Sequence, residues 1–432
     1  MRVIVDPSTF DCLNMGDVAM LQSTVGRLFK QFPNAEIQIF TNDASAVSRH
    51  CPGSQPLAHR GRTSWFSDRD LLGRLHRYLP ERTSRALARL KRDVRRRTPG
   101  LLETAMLGKM GLTGADNRPL RSFITALDQV DIYVVSGAAT LNDKARAHAR
   151  VVLATIEIAL KRGVPVAMFS QGIGPISDPV LFAEAERILP RVGLIALREN
   201  LYGPALLKSL GVSPEKVFVT GDDSIEMAYN NRGHVGREGI GVNFRVASSS
   251  DISASLIEVV RGVLHRVAMK HHAPLIPLPI ALHAAANDQL ITKQLITGTS
   301  NETENERIPD GPYDVIKACG QCRIVVTGAY HAAVFALAQG IPAICLFGNV
   351  NYTQKFMGLA NQFGAGCELL SVNVSHFADS LEEAIEQAWI RAPAQRMPLL
   401  TAAARQTEQS DAAYSRLGQL ITSSPSPLGA AA

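Results

Sequence analysis

The chain has 432 residues, of which 46% are hydrophobic and 19% charged, with a formal net charge of +6. This balance excludes an intrinsically disordered chain, and the length predicts two domains because single cores rarely grow beyond about 250–300 residues. The small positive charge favours anionic partners only weakly. No apolar run reaches the ~18–20 residues of a membrane span, and the opening MRVIVDPSTF lacks the apolar core of a signal peptide. We therefore expect a cytoplasmic protein.

The first fifty residues alternate between strand and helix patterns. RVIVD (2–6) is rich in β-branched residues, the glycine-containing turn CLNMGDVAM follows, and LQSTVGRLFKQF continues as a helix before the strand AEIQIFTND. This alternation predicts a parallel sheet with helices on both faces.

An arginine-rich stretch over 59–97 interrupts the alternation. Leucines recur there at helical spacing, so we expect a pair of amphipathic helices within an insertion of about 59–115. Two interpretations stay open: solvated helical faces, or a patch that contacts anionic lipid at the inner face of a membrane. Nucleic acid is not expected as a partner, because Trp65, Phe66 and Tyr78 do not alternate with the basic residues.

The alternation then resumes and repeats. Strand patterns at VDIYVVSG (130–137), VPVAMFSQGIGP (164–175), LIALREN (194–200) and VFVTGDD (217–223) each end in small or polar residues. The polar, glycine-rich NNRGHVGREG reads as a linker between a first domain over 1–232 and a second over 238–432, which closes with C-terminal helices. We predict an α/β protein with two Rossmann-like domains facing a cleft, where ligands bind at the carboxyl ends of the strands.

His331 is the candidate catalytic residue. It lies where the strand RIVVTG passes into a helix, and helix N-termini attract anions. An imidazole at that point can exchange protons with a substrate, or it can simply pack at the turn.

Arg198 and Arg245 both stand at the end of an apolar strand, in ALREN and GVNFR. A single strand-end arginine is usually a surface charge. Two at the facing ends of two sheets are better explained by a bound carboxylate or phosphate.

Polar and small residues of several strand-end loops are candidates for contacts with a sugar. NMGD in the first turn lacks the GxGxxG spacing, which disfavours NAD and FAD, and its aspartate is equally well explained as a helix cap. The candidate acceptor-binding residues are Asn14, Gly16, Asp17, Ser136, Gly137, Asn142, Gln171, Gly172, His283 and Asp288.

Two further patterns carry weaker signals. The adjacent carboxylates of GDD (221–223) point to opposite sides if they continue the strand, so a paired acid–base role is doubtful and one of them is expected to cap a helix. Cys319 and Cys322 form a CxxC without a second cysteine pair, so no metal site is predicted.

In their order along the chain, NMGD, SGAATLND, SQGIGP, ALREN, GDD and the block GAYHAAVFALAQGIPAICL resemble the polysaccharide pyruvyl transferase family. The resemblance runs from residue 1 to about 370, apart from the arginine-rich stretch. It implies a glycosyltransferase-like fold of the B type and transfer of a pyruvyl group from phosphoenolpyruvate, the co-substrate, to a saccharide or lipid-linked oligosaccharide, with no metal or redox cofactor. Homo-oligomers are compatible with it.

The resemblance also implies residue roles. The family's histidine falls on His331 and its strand-end arginine on Arg198; Tyr330, Arg245 and Lys355 complete the expected donor site. One position departs from the family pattern, since Ala329 stands where many members have an arginine two residues before the histidine. Two alternatives therefore stay open: a glycosyltransferase that uses a nucleotide sugar, and a non-catalytic sugar- or anion-binding protein.

Overall fold

Two parallel sheets with flanking helices make up the protein. The computed structural model describes residues 1–7, 9–66, 98–233, 238–245, 254–283, 286–298 and 308–423, with the isolated positions 83, 90 and 94. Most of the predicted arginine-rich helix pair falls outside these residues, and so does the end of the chain from 424.

The first sheet and its helices come from the N-terminal half of the chain. The strands are β1 (Arg2–Asp6), β2 (Glu36–Thr41), β3 (Gln55–Ala58), β4 (Ile132–Val135), β5 (Ala138–Leu141), β6 (Val166–Ile173), β7 (Leu194–Leu197) and β8 (Val217–Val219). The helices are α1 (Met15–Gln31), α2 (Ala44–His50), α3 (His59–Phe66), α4 (Pro99–Thr113), α5 (Arg118–Gln129), α6 (Arg146–Lys161), α7 (Pro179–Ile188), α8 (Gly203–Ser209) and α9 (Ser224–Asn230).

The second half builds a smaller sheet and a short hairpin. The sheet strands are β9 (Gly239–Asn243), β10 (Leu275–Pro277), β13 (Cys322–Thr327), β14 (Ala343–Phe347) and β15 (Cys367–Ser371), and the hairpin is β11 (Leu282–His283) with β12 (Ala286–Asn287). The helices are α10 (Ala254–His271), α11 (Asp288–Ile296), α12 (Pro312–Cys319), α13 (Tyr330–Ala338), α14 (Val350–Phe363), α15 (Phe377–Ser415) and α16 (Leu417–Ser423).

Both sheets are doubly wound, as predicted. The first has the order β3-β2-β1-β4-β6-β7-β8 with β5 beside β6, and the second has the order β10-β9-β13-β14-β15. Every pairing within them is parallel. Parallel strands covered on both faces bury nearly all their residues, which explains why RVIVD and IGVN read as continuous apolar runs.

Backbone hydrogen bonds join the two halves at the start of α1. The N–H of Met15 donates to the carbonyl of Ile280, and the N–H of Leu282 donates to the carbonyl of Leu13, both at 2.8 Å. These bonds fix the first βα turn of one sheet against a loop of the other. Loop residues from both halves therefore share one site.

The long helix α15 crosses from the second sheet back to the first. Its early residues pack in the core of the second sheet, whereas Ala413 and Tyr414 pack with Leu417 in the core of the first. Pro393 and Pro398 lie within this span, where prolines usually kink or break a helix. The structure keeps a single helix, so the C-terminal helices serve both halves of the protein.

No helix in the described ranges combines the length and the apolar character needed to cross a membrane.

Candidate functional site

The turn before α1 brings the backbone of the first half against His331. The side chain of Asn14 caps the helix, accepting from the N–H groups of Gly16 and Asp17 at 3.0 and 3.3 Å. A Cβ atom added to Gly16 would lie 1.9 Å from Cγ of His331. Glycine is therefore required at position 16 because the imidazole occupies the space of any side chain.

This contact predicts a large effect of Gly16→Ala. The added methyl group must displace His331 or open the junction between the halves. Because a misplacement of about 1 Å in an active site can cost about a hundredfold in rate, we expect turnover to fall by about a hundredfold or more. Gly26→Ala in the same helix is the matched control, because a Cβ there meets no atom within 4 Å. It should stabilise the helix by about 0.5–1 kcal/mol and leave turnover unchanged. Steady-state kinetics and thermal melts of both variants check the prediction, and equal turnover in the two would contradict it.

His331 lies in the first turn of α13, a helix whose residues are all buried. The hydroxyl of Thr327 accepts from the N–H of Ala329 at 2.9 Å and so shapes the turn into the helix. Ala329, at the position of the arginine found in many family members, is itself fully buried. Its methyl group packs in the apolar core around α13.

Asp222 is the partner of His331. Its Oδ2 lies 3.6 Å from Nε2 of His331 and 3.8 Å from Nη1 of Arg198, while Ser224 donates to its Oδ1 through both N–H and hydroxyl. Burial alone would raise the pKa of Asp222, but His331 and Arg198 together with Ser224 outweigh it and hold the pKa below its usual value. An ionised carboxylate thus lies within ion-pair distance of the imidazole.

The two carboxylates of GDD have separate tasks. Whereas Asp222 faces His331, Asp223 accepts from Arg27, Ser410 and Tyr414 at 2.8–3.1 Å and ties α1 to the end of α15. The two acids diverge as predicted, but not because they continue the strand, since β8 ends at Val219. The sequence did not indicate that Asp222 would face the histidine.

Arg198 extends from the end of β7 into the cleft. Its guanidinium lies over the ring of Tyr330 at 4.3 Å and passes so close to Gly172 that a Cβ there would meet Nε at 2.7 Å. The following Glu199 accepts from the N–H groups of Leu201, Tyr202 and Gly203 and closes the turn. Arg198 therefore faces the cleft, and Glu199 fixes the conformation of the loop that carries Arg198.

A cavity of about 280 Å³ opens beside these groups. Five residues predicted from the sequence line it, namely Asn142, Gly172, Arg198, Tyr330 and Lys355. Lining residues that the sequence did not indicate include Lys144, Glu199, Tyr202, Tyr352 and Gln354. Its cations and tyrosines suit a small anion next to a hydroxylated ligand.

Lys355 has an altered charge state in this cavity. Burial, followed by the nearby Arg198, lowers its pKa to about 7, and its ammonium lies 5.3 Å from the ring centre of Tyr352. The lysine is consequently charged below neutral pH and increasingly neutral above it. A bound anion would restore the charge.

The state of Lys355 predicts a pH dependence of anion binding. Because the charged lysine is lost as pH rises through its pKa, the affinity for a phosphate-bearing anion should fall from about pH 7 upwards, by up to about tenfold per unit. Lys355→Arg keeps its charge and should flatten this dependence. Calorimetric titration between about pH 6.5 and 8.5 checks it, since the phosphate itself titrates near pH 6 and stays dianionic over most of that range. An unchanged slope in the variant would contradict the prediction.

Arg245 is held by a carboxylate of the second half. Its Nε and Nη2 donate to Asp288 at 3.0 Å each, and Asp288 is fully buried and also accepts from Asn243 and from the N–H groups of Ile280 and Ala281. Asp288 was predicted to contact the acceptor. Both its oxygens are engaged within the protein, so it positions Arg245 instead.

The other predicted residues lie around the cavity in different roles. Ser136 is buried, with its hydroxyl 2.8 Å from that of Thr24, and the amide of Gln171 donates to the carbonyl of Phe169 at 2.7 Å. The side chains of Ser136 and Gln171 thus stabilise their own loops through hydrogen bonds within the protein. His283 is half-buried and pairs with Asp11 at 3.2 Å at the edge of the cleft.

Asp17 is not a helix cap, since Asn14 has that role. Its carboxyl lies in the field of His331, Arg245 and Arg198, and it also interacts with Lys355. Burial nevertheless raises the pKa of Asp17 above its usual value, against the opposing effect of these cations.

The fold is shared with enzymes that act on nucleotide sugars. A putative UDP-N-acetylglucosamine 2-epimerase from Listeria monocytogenes aligns with a TM-score of 0.58 at 10% identity, covering 98% of this chain and 96% of that one. The UDP-GlcNAc 2-epimerase from Neisseria meningitidis, solved with UDP-GlcNAc, aligns with a TM-score of 0.55 at 12% identity, covering 97% of this chain and all of that one (100%). At these identities the likeness defines the fold class: two Rossmann-like halves of the glycosyltransferase B type.

The family follows from the sequence. The model of the polysaccharide pyruvyl transferase family matches residues 14–346, which include Arg198, Asp222 and His331 and end before Lys355. The chain belongs to this family and is a transferase of polysaccharide biosynthesis that acts on a saccharide. A comparison with curated proteins gave no significant match.

Proposed function

We propose that the protein transfers the pyruvyl group of phosphoenolpyruvate to a pair of saccharide hydroxyls, forming a cyclic ketal on an exopolysaccharide or another cell-surface glycan. The observation that carries the proposal is the cavity in which Arg198 and Lys355 lie beside the His331–Asp222 pair. A small, multiply charged anion next to an acid–base pair is what this chemistry needs.

The donor's charges match the available cations. Phosphoenolpyruvate carries a carboxylate and a phosphate, and the guanidinium of Arg198 can hold either one bidentately. Lys355 offers a compact charge on the same cavity, and its fixed neighbour Arg245 adds to the positive field. These residues compensate for the missing arginine at position 329.

Thermal stabilisation tests the choice of donor. A ligand that binds only the native state raises its stability by about 2.7 kcal/mol at one hundred times its Kd. We expect phosphoenolpyruvate, but neither UDP-GlcNAc nor GDP-mannose, to raise the melting temperature. Stabilisation by a nucleotide sugar alone would favour a glycosyltransferase.

Phosphate release tests the reaction. The purified protein is incubated with phosphoenolpyruvate and a panel of simple glycosides that offer a free 4,6-diol, and products are analysed by mass spectrometry and NMR. Release of phosphate with a pyruvyl ketal on one glycoside supports the proposal. Donor binding without turnover on any glycoside, or on isolated glycan precursors, would favour a non-catalytic binding protein.

A further inference from the structure

We propose that Asp222 is a positioning residue that holds a proton on Nε2 of His331, so that Nδ1 is the ring nitrogen that exchanges protons with the substrate. The inference rests on the proposed function, in which this imidazole is the acid–base group, and it adds which of the two nitrogens reacts. In a neutral imidazole one nitrogen donates a hydrogen bond and the other accepts one. The assignment therefore decides on which side of the ring the substrate hydroxyl must lie.

The first support is a pair of buried atoms without partners. Nε2 of His331 and Oδ2 of Asp222 both lie away from solvent, and neither makes a hydrogen bond to any residue that the structure describes. The two atoms are 3.6 Å apart, so a shift of about half an ångström brings them within hydrogen-bond distance. Because buried polar atoms in native proteins are nearly always paired, we infer a hydrogen bond between these two.

The second support is that the carboxylate of Asp222 has a fixed direction. The N–H and the hydroxyl of Ser224 both donate to Oδ1, at 3.0 and 2.6 Å, and Oδ2 is left facing His331 and Arg198. Two donors on one oxygen and a guanidinium 3.8 Å from the other favour the ionised carboxylate. An ionised carboxylate only accepts hydrogen bonds, so Nε2 must be the donor and must carry the proton.

The third support comes from the surroundings of the other ring nitrogen. A Cβ added to Gly16 would lie 2.0 Å from Nδ1, so this nitrogen borders the first turn of α1. The N–H groups there donate to other acceptors: Met15 to the carbonyl of Ile280, and Gly16 and Asp17 to the side chain of Asn14. None of these three takes up the lone pair of Nδ1, which is left for a proton from the substrate.

The proton cycle follows from this assignment. Nδ1 uses its lone pair to take a proton from the attacking hydroxyl, and the imidazolium that forms carries a proton on each nitrogen. Its positive charge lies beside the ionised Asp222, which stabilises the charge as it develops. Nδ1 then returns the proton to the reacting molecules. Nε2 keeps its own proton throughout, so the ring ends in its starting tautomer.

Asp222→Asn tests the assignment, because the amide has nearly the same size as the carboxylate but can also donate a hydrogen bond. An amide that donates to Nε2 moves the imidazole proton to Nδ1, where it blocks the uptake of another. We expect kcat to fall by about 10²- to 10⁴-fold. The KM for phosphoenolpyruvate should change much less, because Arg198 and Lys355 still hold the donor.

NMR of the protein with isotope-labelled histidine reads the tautomer directly, without substrate. The two ring nitrogens of a neutral imidazole differ in chemical shift according to which one carries the proton, and His331→Ala identifies the signals. At a pH where the ring is neutral, we expect the proton on Nε2 in the wild type and a shift toward Nδ1 in Asp222→Asn. Asp223→Asn is the control, because it removes the adjacent buried carboxylate, which pairs with Arg27. It should lower the melting temperature but keep the wild-type tautomer.

Two substitutions of the histidine examine its nitrogens one at a time. The amide nitrogen of glutamine can reach the place of Nε2, whereas that of asparagine reaches only the place of Nδ1. Both variants lack the acid–base group and should lose turnover. His331→Gln keeps a donor for Oδ2 of Asp222, so it should melt at a higher temperature than His331→Asn. Equal melting temperatures, or the reverse order, would contradict the assignment.

The outcomes separate this inference from the proposed function. A wild-type protein with the proton on Nδ1, or an Asp222→Asn variant with the kcat of the wild type, overturns the positioning role and leaves the proposed function intact. A KM raised about tenfold or more at unchanged kcat shows that Asp222 serves Arg198 alone, which also overturns the role. If the wild type neither binds nor consumes phosphoenolpyruvate, the proposed function fails, and the tautomer still decides whether Asp222 holds the proton on Nε2.

Discussion

His331→Ala is expected to lower kcat by about 10²- to 10⁴-fold, the range that general acid–base catalysis contributes. The imidazole is 7% exposed, and its Nε2 lies 3.6 Å from a carboxylate that keeps it oriented. Such separations often shorten when substrate binds. The Kd for phosphoenolpyruvate should change much less than kcat, because Arg198 and Lys355 still hold the anion.

The measurement is phosphate release at saturating donor, together with a donor titration. His265→Ala is a suitable control, because this histidine lies on α10 and interacts with the carbonyl of Leu295, apart from the cavity. It should lose some stability but keep its turnover. Wild-type rates in His331→Ala would remove the imidazole from the mechanism.

Arg198→Ala is expected to weaken donor binding by about 2–5 kcal/mol, the cost of truncating one partner of a buried charge pair. The guanidinium is 5% exposed, stacked on Tyr330 and close to Asp222. Its loss would remove the proposed charge-assisted bonds to the donor and leave Asp222 with one cation fewer. At about 1.4 kcal/mol per decade, we therefore expect a KM for phosphoenolpyruvate raised by about 1.5 to 3.5 decades.

Two further variants sharpen this test. Arg198→Lys keeps the charge but loses the planar fork and the stacking on Tyr330, so it should recover only part of the affinity. Arg266→Ala removes an arginine from an exposed pair with Glu382, which contributes at most about 1 kcal/mol, and should leave KM unchanged. If Arg198→Ala had the KM of the wild type, the donor would have to bind elsewhere.

The alternation of strands and helices could be read from the sequence because parallel strands must be apolar on both faces. RVIVD, LIAL and IGVN all form the predicted strands. Gln55–Ala58 and Cys367–Ser371 escaped notice, since edge strands face solvent on one side and carry mixed residues. Their sequence pattern is accordingly weaker.

Individual site residues were predictable where the chain places them at strand ends. Arg198, Lys355 and Asn142 line the cavity, and His331 lies beside it, because the carboxyl ends of parallel strands converge on one edge. Asp222 was the main omission. Its position after β8 was visible, but its orientation toward His331 depends on a turn that Ser224 fixes through hydrogen bonds.

The sequence by itself determined the doubly wound α/β class and where its main strands end, since these depend on local apolar patterns, whereas the roles of His331 and Arg198 stay predictions. Only the tertiary structure decided the partners: Asp222 with His331, Asp288 with Arg245, and Asp17 among the cations. Those contacts join residues far apart in the chain, and side-chain direction at a turn is set by packing and hydrogen bonds that no local pattern records.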